Sequence, residues 1–155
     1  RELPAGQVGE VLVTHGFFDE YRNKPDKTAE AKRGGVLHTG DLGIAHEDGY
    51  LKVLGRTAEA AKAQQRGGFL RDVEDTYYEH PAVQHAVVVE GATGVIEGFV
   101  ELRAGQQATA ELLQQFVAAR VAAGLVPHRT TLLDKMPRTF SGKADRLTLA
   151  QRVGS

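Results

Sequence analysis

The stretch LRDVEDTYYEHPAVQHAVVVE, residues 70–90, changes its hydrophobic period halfway along and so decides the fold class. Its first half predicts a helix, because Val73 and Tyr77 lie four residues apart on one face and Pro81 ends the run. Its second half, Val83–Glu90, is an apolar run of strand length. A helix that leads directly into a strand indicates mixed α and β structure.

The chain beyond this stretch continues to alternate between strand and helix patterns. A strand is predicted over Gly98–Gly105, and Thr109–Gly124 predicts an amphipathic helix with Thr109 as its cap and Gly124 at its end. The apolar stripe of that helix consists of Leu112, Leu113, Phe116, Val117 and Val121. A third strand is predicted over residues 130–137, and a last short helix from about Arg146. The second half is therefore expected to be a small α+β domain with a roughly three-stranded sheet and packed helices.

The first half of the chain, residues 1–55, is β-rich and short of helix. Gly9–Gly16 alternates like a strand, and Asn23–Lys32 predicts a short helix with Pro25 near its start. Gly35–Arg56 predicts a strand, a tight turn, a second strand, a hairpin and a third strand, with Asp48-Gly49 as the hairpin turn. These patterns predict a β meander, with a domain boundary at residues 55–59, where polar and alanine-rich chain begins.

The composition excludes several classes of protein. Among the 155 residues, 19 basic side chains nearly balance 20 acidic ones, so no general attraction to nucleic acid or anionic membranes is expected. There is no cysteine, which excludes disulfides and thiolate catalysis. The histidines show no metal-ligand spacing, and neither a membrane span nor a signal peptide is visible. We expect a soluble cytoplasmic protein without a metal site.

Three spots combine glycine with polar or charged side chains. Asp41 in HTGDLG can accept hydrogen bonds from a sugar's vicinal hydroxyls, or can be an ordinary turn aspartate. Arg56 ends a predicted strand and can pair with phosphate or carboxylate, or can be a surface arginine. In PRTFSGKADR, the loop with Ser141, Gly142 and Lys143 can hold an anion, or can be a solvated turn.

The order of these spots resembles the C-terminal third of the adenylate-forming superfamily. That superfamily comprises acyl- and aryl-CoA synthetases, adenylation domains of nonribosomal peptide synthesis, and luciferases. The similar segments run nearly the whole length of the chain, in the family's order: GEVLV, YRNKPDKTAEA, LHTGDLG, DGYLKVLGR, VEDTYYEHPAV and PRTFSGK. The first residue is Arg1 rather than methionine, so we expect a C-terminal portion of a longer ligase.

The resemblance implies a role for each candidate residue. Asp41 is expected to bind the ribose hydroxyls of ATP, and Arg56 to approach the ribose and the phosphates. Glu59 lies in the expected hinge, residues 56–59, about which residues 60–155 would rotate as a mobile C-terminal domain. Lys143 is expected to be the mobile lysine of the adenylation step. Ser141 and Gly142 are expected to support its loop.

The resemblance also implies cofactors and partners. ATP with Mg²⁺ would activate a carboxylic acid, and CoA or a carrier-protein pantetheine would accept the acyl group. Residues 1–55 are expected to be the β-rich end of the large N-terminal ligase domain. The missing remainder of that domain, with its phosphate-binding loop and acyl pocket, is expected as a partner. A lysine acetyltransferase acting on Lys143 is a further expectation, since acetylation would remove the charge that adenylation requires.

Two segments depart from the family pattern. After the hinge, the pair Gly67-Gly68 comes two or three residues later than the family's glycine loop, and Ala60 and Ala61 replace larger apolar residues. The connection EGATGVIEG, residues 90–98, is short, which favours an aromatic or small carboxylate substrate. Two alternatives therefore stay open: a non-catalytic binding module derived from a ligase, and the end of a carrier-protein-loading adenylation domain.

Overall fold

The computed structural model describes residues 2–15 and 19–154. The chain forms two compact units, which divide between Ala61 and Lys62. Each unit contains one three-stranded sheet. The predicted α+β class is thus confirmed, with a β meander in the first unit and a small helix-packed sheet in the second.

The first unit is an antiparallel meander. Its strands are β1 (Val8–Val13), β2 (Leu37–Ala45) and β3 (Leu51–Arg56), hydrogen-bonded in that order. Helix α1 (Pro25–Ala31) begins with proline, which has no backbone N–H to leave unsatisfied and a φ already suited to a helix. The predicted end of the first strand, Gly16, lies outside the described residues.

The predicted tight turn between two strands in HTGDLG is wrong, because β2 runs through it as one strand. Gly40 takes a positive φ of 71° within the strand. The pairing register between β1 and β2 shifts between Glu10 and Leu12 of β1, opposite the segment of β2 that contains Gly40. The register between β2 and β3 shifts between Leu42 and Gly43. The glycine therefore serves a β-bulge, which bends and twists a strand without ending it.

The second unit contains most of the helices. After α2 (Ala60–Arg66), which crosses the division between the units, its elements are α3 (Leu70–Tyr78), β4 (Val83–Glu90), β5 (Ile96–Leu102), α4 (Ala110–Ala118), β6 (Arg129–Leu133) and α5 (Arg146–Gln151). The sheet order is β4-β5-β6, with β4 antiparallel and β6 parallel to the central strand. The parallel pair is joined through α4, as a crossover connection requires.

Both faces of this second sheet are covered. On one face, α3 and α4 bury Val73, Tyr77, Leu113 and Val117 against the strands. On the other face, α5 contributes Leu149 to a smaller cluster, whose other buried members are Val87, Val89, Phe99 and Met136. Alternate residues of β4 point to opposite faces, so its apolar run fills both clusters and forms three layers in this unit.

Helix α2 was not predicted, and it occupies the segment in which the chain departs from the family's glycine-bearing loop. The pair Gly67-Gly68 ends this helix: the N–H of Gly67 donates to Gln64 and that of Gly68 to Ala63, at 3.4 and 2.9 Å. Gly67 has a φ of 84°, the left-handed conformation that such a helix end requires. The two glycines come later than in the family pattern because they follow a two-turn helix and end it.

The prediction for α4 was right at its start and wrong at its end. The Thr109 hydroxyl accepts from the Leu112 N–H, as expected of a cap, but the helix ends at Ala118 rather than at Gly124. Gly124 instead packs where a Cβ would lie 2.7 Å from the Arg66 carbonyl oxygen. Leu112, placed in the apolar stripe by prediction, is 47% exposed. Of the helices in the described residues, none is both long enough and apolar enough to cross a bilayer.

Candidate functional site

Strands β2 and β3 bring Asp41 and Arg56 together in the first unit. The two residues are direct pairing partners across the strands. Arg56 Nη1 lies 3.1 Å from Asp41 Oδ1 and donates to the Thr39 carbonyl at 3.0 Å. The Arg56 side chain is 63% exposed and that of Asp41 37% exposed. The pair therefore presents a carboxylate and a guanidinium side by side to solvent.

The bulge in β2 holds the backbone of Asp41 in place. The Asp41 N–H donates to the Thr39 hydroxyl at 3.0 Å, and that hydroxyl donates to the Val11 carbonyl of β1 at 2.8 Å. The Gly40 N–H donates to Glu10 Oε1 at 3.3 Å. Because the Thr39 hydroxyl and the Gly40 N–H are both bound to β1, the sheet fixes the backbone from which the Asp41 side chain extends.

A charged group that no sequence motif indicated lies behind this bulge. His38 Nδ1 lies 2.8 Å from Glu10 Oε2, and Arg33 Nη2 lies 3.6 Å from the same oxygen. Arg33 Nη2 is also 3.0 Å from His38 Nδ1. Since an arginine can only donate, Nδ1 cannot serve both neighbours, and the shorter contact favours donation to Glu10. The hydrogen bond from His38 lowers the pKa of Glu10, with further contributions from the charges of His38 and Arg33.

Glu59, the predicted hinge residue, lies in a short 3-10 turn, Thr57–Glu59, directly after β3. Its Oε2 accepts from the Arg56 N–H at 3.4 Å, a long hydrogen bond. This contact gives Glu59 a local role in ending β3. Its predicted role in a hinge concerns motion and stays a prediction.

The loop with Lys143 forms a small hairpin in the second unit. The Thr139 N–H donates to the Lys143 carbonyl at 2.7 Å, and the Gly142 N–H donates to the Thr139 carbonyl at 2.9 Å. Gly142 has a φ of 83°, which suits glycine and would strain other residues. The Ser141 hydroxyl lies 3.0 Å from that of Thr139. The backbone of Lys143 is thereby fixed, while its side chain is exposed.

No residue in the described ranges 2–15 and 19–154 forms a hydrogen bond or ion pair with the Lys143 ammonium. Beside it, Phe140 is fully exposed at the tip of the hairpin. An exposed cation on a hydrogen-bonded turn is available to an anion that the loop meets.

An ion pair between a buried carboxylate and a half-exposed arginine fixes the chain directly after this loop. Arg146 Nη2 donates to both oxygens of Glu74 on α3, at 2.7 and 2.9 Å, and its Nη1 donates to the Val88 carbonyl at 3.1 Å. Glu74 Oε1 also accepts from the Val88 N–H at 2.8 Å. The Glu74 side chain is only 3% exposed, whereas Arg146 is 52% exposed.

Sequence reasoning missed this pair, although one signal was present. Leu70, Val73 and Tyr77 lie on one face of α3 at positions i, i+3 and i+7. Glu74, at position i+4, lies on the same face. A single acidic residue among such positions requires a buried partner, since an unpaired charge is costly in a core. The sequence did not identify the partner, which lies 72 positions later.

The described residues contain no group of three or more His, Asp or Glu side chains that could hold a metal ion. Two groups have the hydrogen-bonding character that a nucleotide would need: the Asp41 carboxylate can accept from hydroxyl groups, and the Arg56 guanidinium can donate to phosphate oxygens. Both side chains are partly open to solvent, so a ligand could reach them without displacing a core contact.

Comparison with known proteins identifies the class to which these features belong. Residues 72–143, which end at Lys143, match the family described as "AMP-binding enzyme C-terminal domain". The fatty acid–[acyl-carrier-protein] ligase ScoC of Streptomyces coeruleorubidus is 38% identical over 98% of this chain and 30% of its own length.

Two solved structures are similar over almost the whole chain. The amide bond synthetase McbA from Marinactinospora thermotolerans has a TM-score of 0.82 at 30% identity, over 97% of this chain and 32% of its own. The O-succinylbenzoate coenzyme A synthetase from Bacillus subtilis, in complex with AMP, has a TM-score of 0.73 at 26% identity. The similarity covers 99% of this chain and 31% of the synthetase chain.

The chain belongs to the adenylate-forming superfamily of acyl- and aryl-CoA ligases, as its motifs predicted. It spans about a third of the length of the proteins it matches.

Proposed function

We propose that this chain is the C-terminal part of an AMP-forming carboxylic acid–CoA ligase and that Lys143 supplies its catalytic cation. The observation that carries the proposal is the Lys143 loop: its backbone is hydrogen-bonded on both sides, and its ammonium is exposed without a partner among the described residues. A fixed backbone with an open cation suits a group that must meet a charged substrate in one geometry.

In the first half-reaction, a carboxylate oxygen of the acid attacks the α-phosphorus of ATP. The new bond joins that oxygen to phosphorus, the bond from the α-phosphorus to its bridging oxygen breaks, and pyrophosphate leaves. Two anions must approach each other, and negative charge grows on the phosphoryl oxygens. The Lys143 ammonium would stabilise that charge, and a closing domain would exclude water.

Asp41 and Arg56 would hold the nucleotide. The Asp41 oxygen that does not pair with Arg56 would accept hydrogen bonds from the ribose hydroxyls, while the guanidinium would approach the ribose and phosphates. Mg²⁺, when bound to the phosphates, would neutralise part of their charge as pyrophosphate leaves.

In the second half-reaction, the thiol of CoA would attack the acyl carbon and AMP would leave. We propose that residues 60–155 rotate about residues 56–59 between the two half-reactions, with the N-terminal ligase domain supplying the acid pocket. The short turn between β4 and β5 supports a small or aromatic acid. We expect this reaction to take place in the cytoplasm, where ATP and CoA are available.

A carrier-protein pantetheine is the second candidate acceptor. The 38% identity to a fatty acid–[acyl-carrier-protein] ligase favours it. Helix α2 occupies the segment after the proposed hinge, where the sequence departs from the family's glycine loop, so the acceptor has to be determined by experiment. An assay of the second half-reaction with CoA, with a pantetheinylated carrier protein and with amines would separate these acceptors.

Regulation by lysine acetylation follows from the same charge argument. Lys143 is exposed at the end of a hairpin, where an acetyltransferase could reach it, and acetylation would remove its charge. Native protein purified from cells that contain an acetyltransferase should carry a fraction of acetylated Lys143. Mass spectrometry that finds Lys135 or Lys62 acetylated, and never Lys143, would contradict this part of the proposal.

The main experiment measures acid-dependent release of pyrophosphate by the longest natural polypeptide that contains this chain. Lys143→Ala is expected to slow release about 10²–10³-fold, the usual effect of losing one group that stabilises developing charge. Lys135→Ala, an exposed lysine in the same segment, is the matched control and should leave the rate unchanged.

Two results would count against the proposal. Equal rates for wild type and Lys143→Ala would remove Lys143 from the mechanism. No release with any acid of a broad panel, from folded protein, would favour the non-catalytic binding module.

A further inference from the structure

Arg138 makes a second set of contacts to the loop that carries Lys143. Its Nη1 donates to the Gly142 carbonyl at 2.8 Å, one residue before Lys143. Its Nη2 lies 2.9 Å from Nε2 of His85, on the neighbouring strand β4. One guanidinium therefore ties the tip of the hairpin to the sheet.

The start of the loop is tied to the next strand. The Met136 N–H donates to Glu101 Oε2 on β5 at 2.6 Å, and the Met136 side chain is buried. Glu101 is the pairing partner of His85 across β4 and β5. The loop is thus held at two neighbouring points of one sheet face, through Glu101 at its start and through His85 and Arg138 near its tip.

The direction of the Arg138–His85 hydrogen bond fixes the protonation state of the histidine. Arginine has only donors, so His85 Nε2 must offer a lone pair and the ring must be neutral, with its proton on Nδ1. A protonated His85 would place a second cation against Arg138 and break the contact. Two charged groups lie beside His85: Arg138 in the loop, at 2.9 Å, and Glu101, its pairing partner on β5.

We propose that Arg138 and His85 are positioning residues for Lys143. Arg138 holds the Gly142 carbonyl, and His85 in its neutral form holds Arg138. Together they fix the peptide from which the Lys143 side chain extends. The proposal rests on the proposed role of Lys143 in adenylation. It adds that the loop is correctly placed only while His85 is neutral and can accept from Arg138.

The test uses the same natural polypeptide and the same pyrophosphate assay. His85→Leu removes the acceptor, and Arg138→Lys keeps the charge but cannot hold both partners. Each should lower kcat about tenfold with little change in KM for ATP, because a small misplacement of a reacting group is costly. His85→Gln keeps an acceptor oxygen and should restore most of the rate. His128→Gln, at an exposed histidine of the same unit, is the control.

The pH profile separates positioning from general stability. Wild type and His128→Gln should lose more adenylation rate in acid than His85→Gln, because a proton on His85 Nε2 would break the contact with Arg138 and glutamine keeps its acceptor oxygen. Parallel acid profiles for wild type and His85→Gln would overturn the role of His85. Full activity of His85→Leu beside an inactive Lys143→Ala would overturn the whole inference while leaving the proposed function in place.

Hydrogen exchange gives a readout that does not depend on activity. The amides of Thr139 and Gly142 should exchange faster in His85→Leu and in Arg138→Lys than in wild type, by at least several-fold. Unchanged exchange across residues 137–146 would contradict positioning even if activity fell. If these variants exchanged faster but Lys143→Ala stayed active, the loop would be positioned as proposed without serving adenylation. That result would refute the proposed function and the catalytic part of this inference.

Discussion

Two pairs of a carboxylate and an arginine in this chain have opposite settings. Asp41 and Arg56 lie at 3.1 Å with both side chains more than a third exposed. Glu74 and Arg146 lie at 2.7 Å with the carboxylate only 3% exposed. An exposed pair contributes little to stability, so its groups are available to a ligand. A buried carboxylate must keep its partners, so it organises the fold around it.

The largest effect on stability is expected where the carboxylate is buried. Glu74→Gln keeps the volume but removes the charge that two Arg146 hydrogen bonds and the Val88 N–H stabilise. The free energy of unfolding of the second unit should fall by about 2–3 kcal/mol, since hydrogen bonds to a charged group are lost and Arg146 is left partly unpaired. Hydrogen exchange in α3 and α5 measures it, and a loss below about 0.5 kcal/mol would end the contrast between the two pairs.

The exposed pair should instead affect substrate binding. Asp41→Asn should raise KM for ATP about tenfold, the loss of one charge-assisted hydrogen bond, with stability unchanged within about 0.5 kcal/mol. Asp48→Asn, in the exposed hairpin after β2, is the control, because its carboxylate caps only the Tyr50 N–H. If Asp41→Asn destabilised the first unit and left KM unchanged, this pair would be structural.

An intermediate case is Glu90 at the end of β4, which is 19% exposed and lies 2.6 Å from Arg66 and 2.9 Å from Lys62. Burial by itself would raise the pKa of Glu90, but the hydrogen bonds and charges of Lys62 and Arg66 outweigh it and lower the pKa below its ordinary value of 4.5. A lowered pKa means that the stabilisation is complete above about pH 4.5 and is lost as the pH falls through the folded-state pKa.

Glu90→Gln should therefore destabilise the attachment of α2 by about 1 kcal/mol at pH 7. The difference from wild type should shrink as the pH falls below about 4.5 and on through the lower folded-state pKa, at which Glu90 of the folded wild type also becomes neutral. Hydrogen exchange of residues 60–68 at several pH values measures this. A difference that stays constant down to pH 3 would show that the charge of Glu90 is not its cause.

The smallest effect is expected at Glu79, which is 64% exposed and lies 4.0 Å from Arg120. Arg120 has other contacts, since its guanidinium lies over the Phe116 ring at 3.7 Å and donates to the Phe116 carbonyl. Glu79→Gln should change the stability of the second unit by less than about 0.5 kcal/mol. A loss as large as that of Glu74→Gln would mean that exposure does not decide what a pair contributes.

Elements with a clear apolar period could be predicted from the sequence. Strand β4 lies at the predicted residues, and Val73 and Tyr77 are fully buried, because a run or stripe of large apolar side chains leaves few alternatives. Helix α2 was missed because it has no stripe, and Ala63 is its only buried residue. The high helix propensity of its Ala, Gln, Lys and Arg residues was the available signal.

The candidate site was predictable only in part, because the sequence shows single motifs and not their partners. Asp41 and Arg56 were singled out separately, and the structure shows that strand pairing brings them together. The contacts from Glu74 to Arg146 and from His85 to Arg138 join residues more than 50 positions apart. No local pattern encodes such contacts, so only the tertiary structure reveals what supports the Lys143 loop.

The distance along the chain between Glu74 and Arg146 also constrains how this protein is made. Arg146 leaves the ribosome 72 residues after Glu74, which takes roughly 4–14 s at about 5–20 residues per second. Until then α3 has a carboxylate that cannot be buried without a large cost, so its apolar face stays open to other partners. The second unit should therefore complete its folding only when its last helix has emerged, and during that interval it should depend most on chaperones.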